Sequence, residues 1–325
     1  MITAIICLLS LAACLSGCGL SGMPHAEKNG LFFDTVVSVE IYGKNAEELA
    51  GQCMDKCAYY ESIFDKNNPA SDIARINSGG GSPVSVSSET VDLIKKSFKY
   101  SELSDGLFDI TIGPVSSLWD FHKESEDIPS ESDLKDACQK VGYKNVTVSD
   151  EDCTVTVPEG YMIDAGAAAK GYIADRLAEF LSSDSITGAI INMGGDMRLV
   201  GTKPDGSLFN IGINDPEADG VICAMYLSDE SVATSGTYER CFYSGGKRYH
   251  HILDPKSGYP AETDIESVTV ITPGALDSDC LCTVAIMLGS DRAIKLIESL
   301  DDTEAVILKT DGSILKTQGA DSYIR

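Results

Sequence analysis

The chain has 325 residues, with 25 Lys and Arg against 50 Asp and Glu, and a formal net charge of −25 at pH 7. Such an acidic surface repels nucleic acid and anionic lipid headgroups as direct partners, and any phosphorylated ligand must be held by local cations or a metal. A hydrophobic fraction of 43% is ordinary for a soluble globular protein, and 11 cysteines without regular spacing do not make a disulfide framework.

Residues Ile2 to Leu11 are mostly apolar, and the run continues to Ser16-Gly17-Cys18. It is too short for a membrane-spanning helix, which needs about 20 apolar residues, and reads as a signal peptide over residues 1–17. Leu15-Ser16-Gly17-Cys18 looks like a bacterial lipobox, so the expectation is a lipid on Cys18 and a protein on the outer, extracytoplasmic face of the cell membrane. Cys14 is a second candidate, Met1-Ile2-Thr3 lacks the usual positive charge, and a buried N-terminal strand or an uncleaved anchor is the bland alternative. Residues 18–30, with Gly19, Ser21, Gly22 and Pro24, read as a flexible tether. One folded domain over 31–325 follows.

The spacing predicts a strand over 31–43, with Phe33, Val37, Val39 and Ile41 on one face. Asn45 with Glu48 predicts a capping box for a helix carrying Leu49, Cys53, Cys57 and Tyr60. Another helix is expected from Ser88 to Ser104, a third from Ser130 to Gly142, and a hairpin over 146–157. A helix should run from after Asp164 to about Leu181. Strands are expected near 189–192, 209–213, 221–227, 249–253 and 267–271, then helices over 275–288 and near Ala293, and a final hairpin. Strands arrive in runs and helices singly, which predicts a mixed α+β fold of mainly antiparallel sheets with packed helices. No strand–GxGxxG–helix unit is present, so a Rossmann site is not expected.

Five constellations could carry chemistry. Asp164-Ala165-Gly166-Ala167-Ala168-Ala169-Lys170 puts small residues and a cation where a helix begins, which suits phosphate; close helix packing suits it equally. Asn192, Gly194, Gly195 and Asp196 form a two-glycine turn that a ligand could approach, or an ordinary hairpin. Thr234-Ser235-Gly236 offers hydroxyls, and His250-His251 before Leu253-Asp254-Pro255 offers a proton acceptor, although a lone histidine is commonly structural. Asp279 and Thr283 stand one helical turn apart, where two hard oxygens could reach one Mg²⁺ ion; a capping Asp and a buried Thr are the plain alternative. Leu107, Phe108 and Asp109, with the only tryptophan, Trp119, place aromatics and acid together for ring stacking or for core packing.

Taken in order, FFDTVVSVEIYG, SDGLFDITIGPVSSLWDF, IDAGAAAKGYIADRL, INMGGD, VATSGTYER, HHILDPKSGYP and SDCLCTVAIMLG resemble the blocks of the ApbE family, the FAD:protein FMN transferases. The resemblance covers residues 31 to 290 and implies an ApbE-like (T-fold-like) architecture and transfer of FMN from FAD to a Thr or Ser hydroxyl of an acceptor flavoprotein, with Mg²⁺ bound and AMP released. It implies Asp279, Thr283 and the Ala167 carbonyl as metal ligands, with His251 as base and Asp279 catalytic. Phe33, Leu107, Phe108, Asp109, Trp119, Asp164, Lys170, Asn192, Gly194, Gly195, Asp196, Thr234, Ser235, Gly236, His251 and Leu253 would line the FAD site. Phe33 stands where the family commonly has Met, and Ala165 and Ala167 replace the more usual Leu and Gly. The acceptor would resemble a flavin-carrying subunit of a membrane redox complex or an exported FMN-binding protein. A Mg²⁺-dependent FAD pyrophosphatase and a non-catalytic FAD-binding lipoprotein are the alternatives.

Overall fold

The structure, a computed structural model, describes residues 24–121, 127–182, 186–216 and 220–324. Residues 1–23, with Cys14 and Cys18, lie outside the described residues. In chain order the elements are β1 (His25–Phe32), β2 (Thr35–Gly43), α1 (Ala46–Phe64), α2 (Asp72–Asn77), β3 (Val84–Ser85), α3 (Ser88–Leu103), α4 (Gly113–Ser116) and α5 (Glu131–Cys138). There follow β4 (Thr147–Ser149), β5 (Thr154–Thr156), α6 (Ala169–Ser182), β6 (Ile186–Met193), β7 (Asp196–Gly201), β8 (Phe209–Asn214) and β9 (Val221–Leu227). The last are β10 (Ser231–Gly236), β11 (Cys241–Ser244), β12 (Lys247–His250), β13 (Ile265–Thr272), α7 (Ala275–Leu288), α8 (Ser290–Ile297), β14 (Glu304–Lys309) and β15 (Ile314–Lys316).

Eight strands form one sheet in the order β1-β2-β6-β7-β10-β13-β14-β15, with every neighbouring pair antiparallel. Side chains alternate across a strand, so each strand feeds two cores. Val37, Val39, Ile41, Ala189, Ile191, Val268 and Val270 are buried in the larger core with α1, α6 and α7. Leu199, Val232, Ile271 and Val306 turn the other way, into a smaller cluster completed by the β8–β9 hairpin. The mixed, mainly antiparallel α+β fold expected from the sequence is the fold observed.

Most of α7 is apolar on all sides, and Leu276, Asp279, Cys280, Leu281, Cys282 and Val284 through Met287 are all buried. A helix apolar all round belongs inside a domain. That makes Asp279 a carboxylate in the middle of the protein.

Local chemistry moved several boundaries. The strand expected over 31–43 is a hairpin whose turn is Phe33-Asp34, with φ of 53° and 57°, so Phe33 sits at a tip and not on the buried face. Pairing begins at His25, so residues 25–30, read as tether, form the edge strand of the sheet. Asn45 adopts a left-handed conformation with φ 60° and makes no side-chain cap, in place of the expected capping box. Ser130 does cap α5, accepting from the Asp133 N–H at 3.1 Å, but that helix ends at Cys138, short of Gly142. The strand expected over 249–253 ends at His250, which leaves His251 just beyond it. Cys53, Cys57, Cys280 and Cys282 are free and buried; burial pushes the Cys53 and Cys57 thiols up to about 12, so they behave as small apolar side chains.

Candidate functional site

The site begins where α6 meets α7. Asp164 hydrogen-bonds through its N–H to the Ile110 carbonyl at 2.7 Å, and the chain then turns through Ala165, whose carbonyl accepts from Ala168 and Ala169, before α6 starts. Helix α6 thus begins at Ala169, later than the sequence suggested, and Lys170 falls in its first turn. A Cβ on Gly171 would lie 2.4 Å from the Ala275 carbonyl oxygen and 2.7 Å from the Leu276 Cα, so the two helices touch backbone to backbone there. Glycine is what that approach requires. Helix α7 has no capping side chain of its own at Gly274; Asp175 of α6 supplies one, accepting from the Ala275 N–H at 2.7 Å and the Leu276 N–H at 3.0 Å.

This junction brings Asp279 of α7 against the start of α6, and the next residue, Cys280, against the turn that carries Ala167. Asp279 accepts from the Gly171 N–H at 3.1 Å through Oδ2, and the Cys280 thiol lies 3.6 Å from the Ala167 carbonyl oxygen. Thr283 follows Asp279 by one turn on α7. Among the described residues there is no cluster of three or more His, Cys, Asp or Glu that could hold an ion. A hard cation here would rest on one carboxylate, a hydroxyl and a backbone carbonyl, a donor set suited to Mg²⁺ because that ion keeps much of its shell for water and phosphate.

From the sheet side, the β6–β7 turn is Gly194-Gly195, with φ of 76° and 111°, and the Gly195 N–H donates to Asn192 Oδ1 at 2.7 Å. The turn delivers Asp196 to the first position of β7, where its carboxylate forms an ion pair with Lys170 and also accepts the Thr234 N–H at 3.1 Å. The β1–β2 tip closes on the same turn, since a Cβ on Gly194 would meet Thr35 Oγ1 at 2.3 Å. Glu61 of α1 accepts from the Phe33 N–H at 2.7 Å and holds that tip. Two successive non-glycine residues with positive φ store backbone strain, a recurrent feature of ligand sites.

In this cluster one ammonium, that of Lys170, is shared by the Asp196 and Asp279 carboxylates. Burial pushes the Asp279 carboxyl up to about 7, against the pull of Lys170. Burial disfavours the Lys170 ammonium too, but Asp279 and Asp196 outweigh it and hold its pKa above the ordinary lysine value. Asp164, although shielded from water, is kept below the usual carboxylate range by Lys66. The Lys66 ammonium lies 2.5 Å from its Oδ2, and the Ser116 hydroxyl donates to the same oxygen at 2.7 Å.

The two histidines differ in kind. His250 is buried with both ring nitrogens engaged, Nε2 donating to the Ala261 carbonyl at 3.1 Å and Nδ1 accepting from the Ile252 N–H at 3.3 Å. The His251 Nδ1 is buried with no hydrogen-bond partner. Burial, and then Arg240, bring the His251 pKa down to about 4, so the ring is neutral at pH 7.

Other predicted residues have structural partners. Phe108 is buried edge-on to Tyr100, and Leu107 packs at the margin of the same core. Asp109 accepts from the Thr111 N–H and hydroxyl and from the Tyr143 N–H, so its carboxylate ties two loops; burial raises its pKa. It also borders a cleft of about 890 Å³ between α5 and Pro255–Tyr259. Trp119 is buried in an aromatic cluster, stacked on Phe121 and Tyr249 with its indole N–H on the Gly258 carbonyl, and Leu253 belongs to that cluster. Ser235 and Gly236 continue β10 past Thr234, with Gly236 packed under the Tyr238 ring. Sequence reasoning missed Lys66, Ser116, Asp175 and Glu239, an acid whose pKa is raised by burial and by Asp196. Polar residues 98, 48 and 100 positions from their partners leave no local signal.

The ApbE family profile matches residues 33–307. An FAD:protein FMN transferase of Klebsiella pneumoniae is 33% identical over 273 residues, 83% of this chain and 84% of that protein. One of Treponema pallidum is 28% identical over 316 residues, 91% of this chain and 87% of that protein. The ApbE protein crystal structure from Thermotoga maritima has a TM-score of 0.86 at 34% identity, over 93% of this chain and all of that one. The apo flavinyl transferase ApbE of Pseudomonas stutzeri has a TM-score of 0.84 at 26% identity, over 94% and 98%. With the family's profile spanning most of its length and relatives of this similarity, the chain belongs to the ApbE family.

Proposed function

We propose that this chain is an FAD:protein FMN transferase that needs Mg²⁺, moves FMN from FAD to a Thr or Ser hydroxyl of an acceptor flavoprotein, and releases AMP. The observation that carries the reading is the buried charged junction of α6 and α7: the Lys170 ammonium lies between the Asp279 and Asp196 carboxylates, and the segment that carries the Ala167 carbonyl packs against α7 beside them. A carboxylate on a buried helix is costly even with one lysine beside it, and functional sites are where such groups are kept. The same junction answers how a protein of net charge −25 could hold a pyrophosphate.

Asp279, Thr283 and the Ala167 carbonyl would hold the ion, which when bound supplies positive charge for the phosphate oxygens and for the leaving AMP. Lys170 adds a cation from the first turn of α6, at the positive end of that helix's dipole. Asp196 orients Lys170 by their ion pair. His251, neutral and with Nδ1 unpartnered, takes the proton of the acceptor hydroxyl. The hydroxyl oxygen forms a bond to the FMN-side phosphorus as the bond from that phosphorus to the bridging oxygen breaks, and AMP carries that oxygen away. Positioning and charge neutralisation carry the rate, with no covalent enzyme intermediate.

No helix among the described residues is long and apolar enough to cross a membrane. We assign membrane attachment to a lipid on Cys18, on the extracytoplasmic face, which suits an acceptor in a membrane redox complex; Cys18→Ser should move the protein to the soluble fraction, and unchanged membrane association would reject that anchor. The catalytic reading is tested by chromatography of AMP from FAD with MgCl₂ and a candidate acceptor. AMP release should require the acceptor and fall at least about 100-fold in Asp279→Ala. Parent-like release by Asp279→Ala would reject the assignment.

A further inference from the structure

The segment that presents the Ala167 carbonyl is tied at both ends by an ion pair. At its far end Lys170 pairs with Asp196; at its near end Asp164 pairs with Lys66, which belongs to the loop between α1 and α2. Asp164 is fully engaged: Lys66 and the Ser116 hydroxyl share Oδ2, and the Gly166 N–H, one residue before Ala167, donates to Oδ1 at 3.1 Å. The carboxylate therefore joins three separately folded pieces, the α1–α2 loop, α4 and the 164–169 turn.

Within that turn Ala165 and Ala168 are buried in the main core, but Gly166 is exposed and none of the four residues from Ala165 to Ala168 has a polar side chain. Core packing and backbone hydrogen bonds hold its ends, and among the described residues the only side-chain hydrogen bond to the exposed Gly166 comes from the Asp164 carboxylate, whose direction Lys66 and Ser116 set. We propose that Lys66 is a positioning residue: by fixing Asp164 it fixes the turn that aims the Ala167 carbonyl at the divalent ion. The proposal rests on the Mg²⁺ reading above. Partners that orient a ligand without touching the metal typically change metal affinity 10- to 100-fold when removed.

The test is thermal melting of the FAD-loaded protein during MgCl₂ titration, with FAD affinity measured separately by flavin fluorescence in EDTA. Lys66→Ala should raise the half-saturating Mg²⁺ concentration about tenfold, at the weak end of that range, because Ser116 still holds Asp164. Lys66→Arg, which keeps a cationic donor, should stay within about twofold of the parent. Ser116→Ala should shift the midpoint in the same direction as Lys66→Ala. Equal Mg²⁺ midpoints for parent and Lys66→Ala would overturn the proposal, as would a loss of FAD affinity in EDTA that accounts for the whole effect, since Lys66 would then contact the substrate itself. A parent that Mg²⁺ does not stabilise would reject the metal reading and this proposal together.

Discussion

Replacing Asp279 by Asn should make the metal-free protein more stable while removing its response to Mg²⁺. The Asp279 carboxyl is pushed up to about 7 from an ordinary 3.8, with burial as the main cause. A carboxyl with a raised folded pKa costs the fold nothing below its ordinary pKa; the cost grows as pH climbs from about 4 to 7 and levels off above. Converted at about 1.4 kcal/mol per pH unit, the ionised side chain at pH 8 costs at most about 4 kcal/mol. Asn keeps an oxygen for the Gly171 N–H but leaves Lys170 with Asp196 alone, so about half of that, ~2 kcal/mol, should be recovered. For a domain of this size that is a rise in Tm of about 4 °C. The assay is thermal melting at pH 8 in EDTA and again in MgCl₂ with FAD. Asp279→Asn should melt higher than the parent in EDTA and gain nothing from Mg²⁺. A variant that melts below the parent in EDTA, or gains as much from the ion, would refute the reasoning.

The same raised pKa makes the proton a competitor of the metal, so the Mg²⁺ concentration for half-saturation should rise toward tenfold per pH unit as pH falls from 7 to 5, and a flat profile would contradict it. Gly171→Ala would press a Cβ into the Ala275 backbone, costing about 1–3 kcal/mol in urea unfolding and slowing turnover, because Lys170 and Asp279 would be pushed apart. His251→Ala should fold but lose about 10²–10⁴ in turnover at saturating FAD, whereas His250→Ala should lose stability by about 1–3 kcal/mol because the Ala261 carbonyl and the Ile252 N–H are orphaned; circular dichroism melts and initial rates distinguish them.

Much of the site was legible because its parts are local. The four-residue spacing of Asp279 and Thr283 put both on one helix, and α7 has the bounds the apolar run suggested, Ala275–Leu288. The Asn192-to-Asp196 turn was legible because paired glycines have few other uses. What stayed hidden depends on contacts between distant segments. Asp175 capping α7 and Lys66 holding Asp164 join residues about a hundred positions apart, and no period or motif encodes such a meeting. Phe33 misled because its apolar side chain continues the alternation of β2, while the hairpin places it in a positive-φ turn where asparagine or glycine is the ordinary choice. Trp119, expected to stack on a ring, and Asp109, expected from the family resemblance to contact FAD, also have buried protein partners, Phe121, Tyr249, Thr111 and Tyr143, that the sequence did not announce.

The central claim is that this cluster moves FMN onto a protein hydroxyl, and mass spectrometry of an acceptor incubated with the enzyme, FAD and MgCl₂ tests it most directly. An acceptor peptide should become heavier by an FMN residue on one Thr or Ser, with an equal amount of AMP formed and neither product in EDTA. Free FMN and AMP accumulating beside an unmodified acceptor would mean that water takes the place of the hydroxyl, and the transfer reading would fall.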